Sequence, residues 1–457
     1  MNEHNNPLGY EPIGTLMKQF ALPSIVAMLV SALYNIVDQV FIGQAVGTLG
    51  NAATNIAFPL AMSCTAIGLL FGIGGAANFN LHLGRKEYEK APYFMGNAVT
   101  MLLLLGTVLG LLAELFLTPM LKGFGSPADV LPYAKEYVRV TAIGFPFLIL
   151  TTGGGHLMRA DGSPKMTMIA SMSGAIINVF LDALFVFGFH WGMFGAAFAT
   201  IIGQIFSGCL VLWYMRRTKT VELESKHFIP QLKVVLQTAS LGVASCVNQL
   251  GMMVVQIVLN NSLKHYGSLS VYGESIPIAC AGIVTKVNQV FFAVVIGIAQ
   301  GSQPIESFNY GARQYKRVKD TYLLALKAAA TISFVSFVIF QVFPKQLLSL
   351  FGNGTDLYFE FGVRFFKIYL FFTWANCIQP TTSQFFASVG KPLKGMFISL
   401  TRQILFFLPV LLILPVFMGI DGILFVGPTA DGLAAVVAAI MVAFEFKNMS
   451  KLKEAPQ

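Results

Sequence analysis

Apolar residues in this chain come in long runs, and short polar stretches separate them. Twelve runs can be marked: 16–43, 52–79, 92–118, 133–157, 166–189, 193–215, 231–259, 276–301, 320–343, 359–386, 395–417 and 423–446. A helix needs about 20 mainly apolar residues to cross the hydrocarbon core of a bilayer, so each run is long enough. The separating stretches hold turn residues and charge, as in Gly84-Arg85-Lys86-Glu87, Asp161-Gly162-Ser163-Pro164-Lys165 and Gly390-Lys391-Pro392. The polar start of the chain has no signal-peptide core, and the apolar run from Phe20 is too long for a cleaved signal. The pattern predicts an all-α polytopic membrane protein with twelve transmembrane helices.

Composition agrees. Of the 457 residues, 55% are hydrophobic and only 11% are charged, against about 25% charged in soluble domains. Mean hydropathy is +0.69. A soluble enzyme, a disordered chain and a fibrous one are excluded, because none could cover this much apolar surface. The net charge of +9 changes the picture through its placement. Twenty of the 30 lysines and arginines fall in one alternate set of connecting segments and four in the other. Basic loops stay in the cytoplasm, so both termini of this multi-pass protein are expected there. The same count explains the basic clusters without a nucleic-acid partner. Five cysteines (Cys64, Cys209, Cys246, Cys280, Cys377) lie in apolar runs with no CxxC spacing, and read as packing residues.

The chain also repeats itself. Gly84, Tyr88, Gly125, Asp129, Gly192 and Gly195 each meet an identical residue 227 positions later, at Gly311, Tyr315, Gly352, Asp356, Gly419 and Gly422. Gly162 and Pro164 recur at Gly390 and Pro392. Before Gly84 the offset is nearer 218, pairing Gln19 with Gln237, and a nine-residue insertion around Lys264–Ser275 accounts for the change. Six spans are therefore followed by six of the same pattern. Six is even, so both halves enter from the same side and are related by an axis along the membrane normal. The expected division is an N-terminal lobe, 1–218, and a C-terminal lobe, 219–457, joined through the polar stretch 216–232. Two such lobes around a midline cavity suit alternating access.

Charge at bilayer depth costs about 2.5–3.5 kcal/mol per group on insertion scales, which makes each such group a functional candidate. Asp38 lies in span 1, 20 residues past Lys18, and Asp182 lies in span 5, 17 past Lys165. Both spans run outward, so the two acids reach similar depth. Asn178 is one turn before Asp182, and Ala196 and Thr200 lie one and two turns down span 6 at that level. In the second half the paired positions are Gln256, Pro409 and Gly427, so the fold does not demand the acids. Two close carboxylates away from water cannot readily both be ionised and titrate as a unit. They can carry a proton, or hold a small hard cation together with Asn178, Thr200 and a carbonyl near Ala196. The residues do not choose between H+ and Na+, and no other cofactor is implied.

Of the remaining intramembrane charges, Glu114, Arg139, Glu306, Lys327, Arg364 and Lys367 read as snorkelling near span ends. Lys286 and Arg402 are deeper, and Lys286 is a candidate for the cavity wall with Gln256, Asn288 and Gln289. His156 reads as an interfacial histidine without metal partners. Gly72-Ile73-Gly74-Gly75-Ala76-Ala77 spells a dinucleotide motif but sits inside a membrane helix, and no Walker A lysine motif is present. The chain is not expected to be an enzyme.

Together, Asp38, Asn178-x3-Asp182, the run Gly192 to Thr200, Gln303-Pro304 with Asn309-Tyr310-Gly311-Ala312, and Arg402-Gln403 followed by Gly419-Ile420-Asp421-Gly422 resemble the MATE (multidrug and toxic compound extrusion) transporters over the whole chain. The resemblance implies two V-shaped lobes and export of hydrophobic or cationic drugs by a monomer in the bilayer, in exchange for H+ or Na+. It places the ion site of the branch with first-lobe acids at Asp38, Asn178, Asp182, Ala196 and Thr200, and a bending point of the first helix at Pro23. A lipid-precursor flippase of the same superfold is the alternative.

Overall fold

The structure, a computed structural model, describes residues 6–46, 48–124, 126, 128, 130–273, 275–349 and 355–452. The described chain is nearly all helix. In the first half the crossing helices are α1 (Ile13–Val46), α2 (Thr48–Gly84), α3 (Ala91–Leu115), α4 (Leu131–Ala160), α5 (Pro164–Gly188) and α6 (Gly192–Met215). The second half has α7 (Leu232–Ser268), α8 (Ser275–Gly311), α9 (Tyr315–Val342), α10 (Asp356–Tyr369 and Ile378–Ser388), α11 (Pro392–Met418) and α12 (Ile420–Met449).

Eleven of these are long and apolar enough, unbroken, to cross a membrane. The predicted run 359–386 is the one that differs. It stops at Tyr369, passes through a short 3-10 turn at Phe371–Trp374 and resumes at Ile378. Pro380 explains where it resumes. Its ring has no N–H and crowds the preceding turn, so it fits the first turn of a helix but not its middle. Irregular backbone at membrane depth is tolerated where it lines a cavity, and Asn376 and Gln379 beside this break do so.

The duplication is visible in the backbone. Non-glycine residues rarely take positive φ, yet Lys86 (62°) and Arg313 (57°), 227 apart, both do. Gly162 (77°) matches Gly390 (73°), and Gly192 (56°) matches Gly419 (60°). Short helices after the third crossing of each half, Leu117–Gly123 and Pro344–Ser349, also correspond. Of the sequence pairs named above, Gly125, Asp129 and Gly352 lie outside the described residues.

The halves meet at the end of the molecule that carries the basic loops. There α2 packs on α7 so closely that a methyl group at Gly242 would strike the Leu70 backbone. On the opposite side α1 packs on α8, with Gly301 against Ala21 and Gly297 against Ile25. Side chains then bridge the halves. Asn78 Nδ2 donates to the Gln237 carbonyl at 3.1 Å, Gln303 Nε2 to that of Ile73 at 3.1 Å, and Asn309 Nδ2 to that of Leu8 at 2.8 Å. The linker is clamped on α3, where Asn97 donates to the His227 carbonyl (2.9 Å) and accepts from Gln231 N (2.7 Å).

Candidate functional site

Above the closed end lies a cavity of about 690 Å³, lined by residues from both halves. On the first-half wall α1 contributes Tyr34 and Asp38, α4 Tyr137, α5 Asn178, and α6 Thr200 and Gln204. Asp38 is 9% exposed, and Asp182, just behind the wall, is fully buried. Their carboxyl groups lie against each other, with the Tyr34 and Tyr137 hydroxyls close by.

Local backbone explains the aim of Asp182. It is the last residue of regular α-helix before a π turn, Ala183–Gly188. Such wide turns re-aim side chains and recur at functional sites. The rings of Phe185, Phe189, Trp191 and Phe198 pack together just beyond this turn, with centroids 5.1–6.5 Å apart. Asn178 Nδ2 donates to Thr200 Oγ1 at 3.2 Å, and Thr200 Oγ1 donates to the Ala196 carbonyl at 2.9 Å. That chain holds the amide but leaves four buried oxygens with no donor among the described residues: Asp38 Oδ1, Asn178 Oδ1 and both oxygens of Asp182. Oxygens buried this way are costly unless something positive sits among them. Among the described residues no group of three or more His, Cys, Asp or Glu is arranged to hold a metal ion. The donor set of carboxylate, amide and hydroxyl oxygens suits a proton or a small hard cation.

The structure thus brings Asp38, Asn178, Asp182, Ala196 and Thr200 into one group. Gln256, Asn288 and Gln289 lie on the second-half wall of the same cavity. Gln256 Nε2 donates to Asn260 Oδ1 at 3.0 Å. Lys286 is on the same helix as Asn288 but not among the lining residues. Pro23 is buried inside α1, which runs unbroken as Ile13–Val46. It lies between Ala21 and Ile25, in the stretch that packs on α8.

The MatE family profile matches residues 23–184 and again 244–413. This chain belongs to the MatE family. The multidrug export protein MepA of Staphylococcus haemolyticus is 25% identical over 427 residues, covering 93% of this chain and 92% of that protein. The protein of the same name from Staphylococcus aureus is 24% identical over 432 residues, 94% of each chain. Among solved structures, a MATE protein in complex with MaL6 superposes with a TM-score of 0.91 at 20% identity, covering 98% of this chain and 99% of that one. An outward-facing multidrug resistance MATE transporter of the MOP superfamily gives 0.89 at 20%, covering 97% and 100%. A MOP superfamily transporter from Pyrococcus furiosus, described as having a binding pocket of reverse polarity, gives 0.90 at 19%, covering 98% of each. These likenesses establish the fold, twelve helices in two six-helix lobes. The two stretches of MatE match are the two halves of the duplication.

Several residues of this MatE chain are placed otherwise than sequence reasoning expects. Glu306 does not snorkel. It is 1% exposed, and neither carboxyl oxygen has a hydrogen-bond partner among the described residues. His156 is not interfacial but buried, with Nδ1 3.4 Å from Gln303 Oε1 of the other lobe. Arg159, counted among the loop bases, is buried and donates to Gln300 Oε1 at 3.1 Å. Asp431 was not singled out by the sequence reading, although an acid eight residues into the apolar run 423–446 was a visible signal. It lines the second-lobe wall and binds Arg402. Tyr34 and Tyr137 were also missed, since tyrosines in apolar helices carry no signal of their own.

Proposed function

We propose that this protein is a secondary active multidrug exporter that moves hydrophobic or organic-cation drugs outward in exchange for incoming H+ or Na+. Its lobes, 1–218 and 219–457, alternate access to the cavity between them. The basic loops and both termini face the cytoplasm of a bacterial inner membrane, so the closed end is the cytoplasmic one. The observation that carries this reading is the set of four donorless oxygens at Asp38 and Asn178 on the cavity wall and at Asp182 just behind it. The names of the MepA relatives support drug export over the flippase alternative.

The mechanism follows from charge. Two facing carboxylates repel unless a proton or Na+ neutralises part of their charge. An incoming ion supplies that charge and draws α1, α5 and α6 together around Asp38, Asp182 and Asn178. A cationic drug in the cavity is attracted to the pair when the ion is gone. Ion and drug therefore favour different shapes of the first lobe, and each weakens the other's binding by the same factor. Pro23 removes the N–H that the Gln19 carbonyl would accept, so α1 can bend there at low cost. The protein works as a monomer and performs no covalent chemistry.

The test is dye accumulation in cells lacking their own exporters. Wild-type protein lowers accumulation of ethidium; Asp38→Asn and Asp182→Asn, present in the membrane at equal amounts, do not. Full ethidium efflux by both variants removes the mechanism. Rescue of a flippase-deficient strain by the wild type would instead favour the lipid reading.

A further inference from the structure

The second-lobe wall of the cavity carries a guanidinium that the ion exchange does not use. Arg402 sits in a π turn of α11, Thr401–Phe407, and lines the cavity. Its Nε donates to Asp431 Oδ1 of α12 at 2.6 Å. Asp431 is 5% exposed, so this is a buried pair with one edge of the guanidinium fixed. The two terminal nitrogens of Arg402 meet no acceptor among the described residues, and the side chain retains 20% of its exposure. A guanidinium held through Nε with both terminal nitrogens free presents the fork that grips a carboxylate by two parallel bonds.

A second observation points the same way. Arg159, also on the cavity wall, has no acidic partner: one terminal nitrogen donates to Gln300, and its buried Nε has no acceptor among the described residues. Positive charge in this cavity thus exceeds what its neighbours neutralise, away from the acid pair. Nor does the fold require Arg402 and Asp431. The duplication pairs them with Gly174 or Ala175 and with Gln204, none of them charged.

The geometry points to a carboxylate subsite at Arg402, with Asp431 as its positioning residue. Cargo then includes amphoteric aromatic compounds, with the cation drawn to Asp38 and Asp182 and the acid seated on Arg402. This inference rests on the drug-export reading, and the test separates the two. The probes are rhodamine B, which bears a carboxylate beside its delocalised cation, and rhodamine B ethyl ester, which lacks only that charge. Efflux of each is measured with the full chain in proteoliposomes.

Wild-type protein exports both. Charge-assisted hydrogen bonds are each worth about 1.5–3 kcal/mol, so Arg402→Gln lowers the acid-to-ester ratio of kcat/KM about tenfold or more. Arg402→Lys, which keeps the charge but loses the fork, falls between. Arg402→Gln strands the Asp431 carboxylate, so the double variant Arg402→Gln/Asp431→Asn is the second arm, with the same loss of ratio expected. An acid-to-ester ratio in the double variant equal to that of wild type overturns the subsite. Failure of the wild type to move even the ester overturns the drug-export reading itself.

Discussion

The two lobes share a backbone and differ in charge. In each, the fifth helix carries a π turn beside a charged residue: Asp182 precedes Ala183–Gly188 in α5, and Arg402 lies within Thr401–Phe407 in α11. In the first lobe the partner is a second acid, Asp38, and the group is short of positive charge. In the second the partner is an opposite charge, Asp431, and the group is close to neutral. The depths differ as well. Asp182 is 18 residues past Pro164 and Arg402 is 10 past Pro392, a difference of about 12 Å along a helix. Duplication supplied one scaffold, and substitution made one copy hungry for a cation while the other holds its own counter-charge. On the proposed mechanism, only the first exchanges ions.

The largest effect expected from breaking this asymmetry is functional. Asp182→Asn removes an acid that the proposed exchange requires, and ethidium uptake into everted vesicles falls at least tenfold, while Gln256→Ala, across the cavity, leaves most of the transport rate. Stability moves in the opposite sense. Asp431→Asn strands the Arg402 guanidinium in a largely buried position, a loss of about 3 kcal/mol that a thermal-unfolding assay in detergent reads as a lowered midpoint. Asp38→Asn relieves like-charge repulsion, and its midpoint stays level or rises. Equal losses from both would mean that the two groups are structurally alike.

Smaller effects sharpen the picture. Thr200→Val removes the oxygen that accepts from Asn178 and donates to Ala196. About 1 kcal/mol of stability goes with it, and ion affinity falls while drug affinity holds, as read by ion-dependent protection of a first-lobe cysteine label. The smallest effect is in the linker. His227 Nδ1 accepts from Glu224 N at 2.9 Å, and burial, then the charge of Lys226, hold its imidazole below the usual histidine range. A lowered value means that the folded linker binds the proton less well than the unfolded one. Its contribution is full above the ordinary histidine value and is lost as pH falls from there toward the depressed one. The protection of residues 224–229 against hydrogen exchange, taken relative to the intrinsic rate at each pH, falls on acidification, and His227→Gln removes that dependence.

Much of this was legible before any coordinates. Twelve apolar runs, the offset of 227 and the depth of Asp38 and Asp182 all follow from helix rise and spacing. The shared level of Asn178, Asp182, Ala196 and Thr200 follows too, because positions four apart share a helix face; the hydrogen bond from Asn178 across to Thr200 of the next helix does not. What was not legible depended on contacts between distant segments. The break in α10 turns on Pro380 being tolerated in a first turn facing a cavity. The burial of His156 and Arg159 comes with α8 of the other lobe, which brings Gln303 and Gln300 against them, residues 147 and 141 positions away. Asp431 was readable but went unpaired, because its partner Arg402 lies on the preceding helix, 29 residues away.

One measurement bears most directly on the first-lobe acids as the place of exchange: ethidium efflux from proteoliposomes with a pH gradient and a sodium gradient imposed separately, for wild type and Asp38→Asn. The account predicts that at least one gradient accelerates wild-type efflux and that neither accelerates the variant. Gradient-driven efflux by Asp38→Asn, at the wild-type rate, would contradict it.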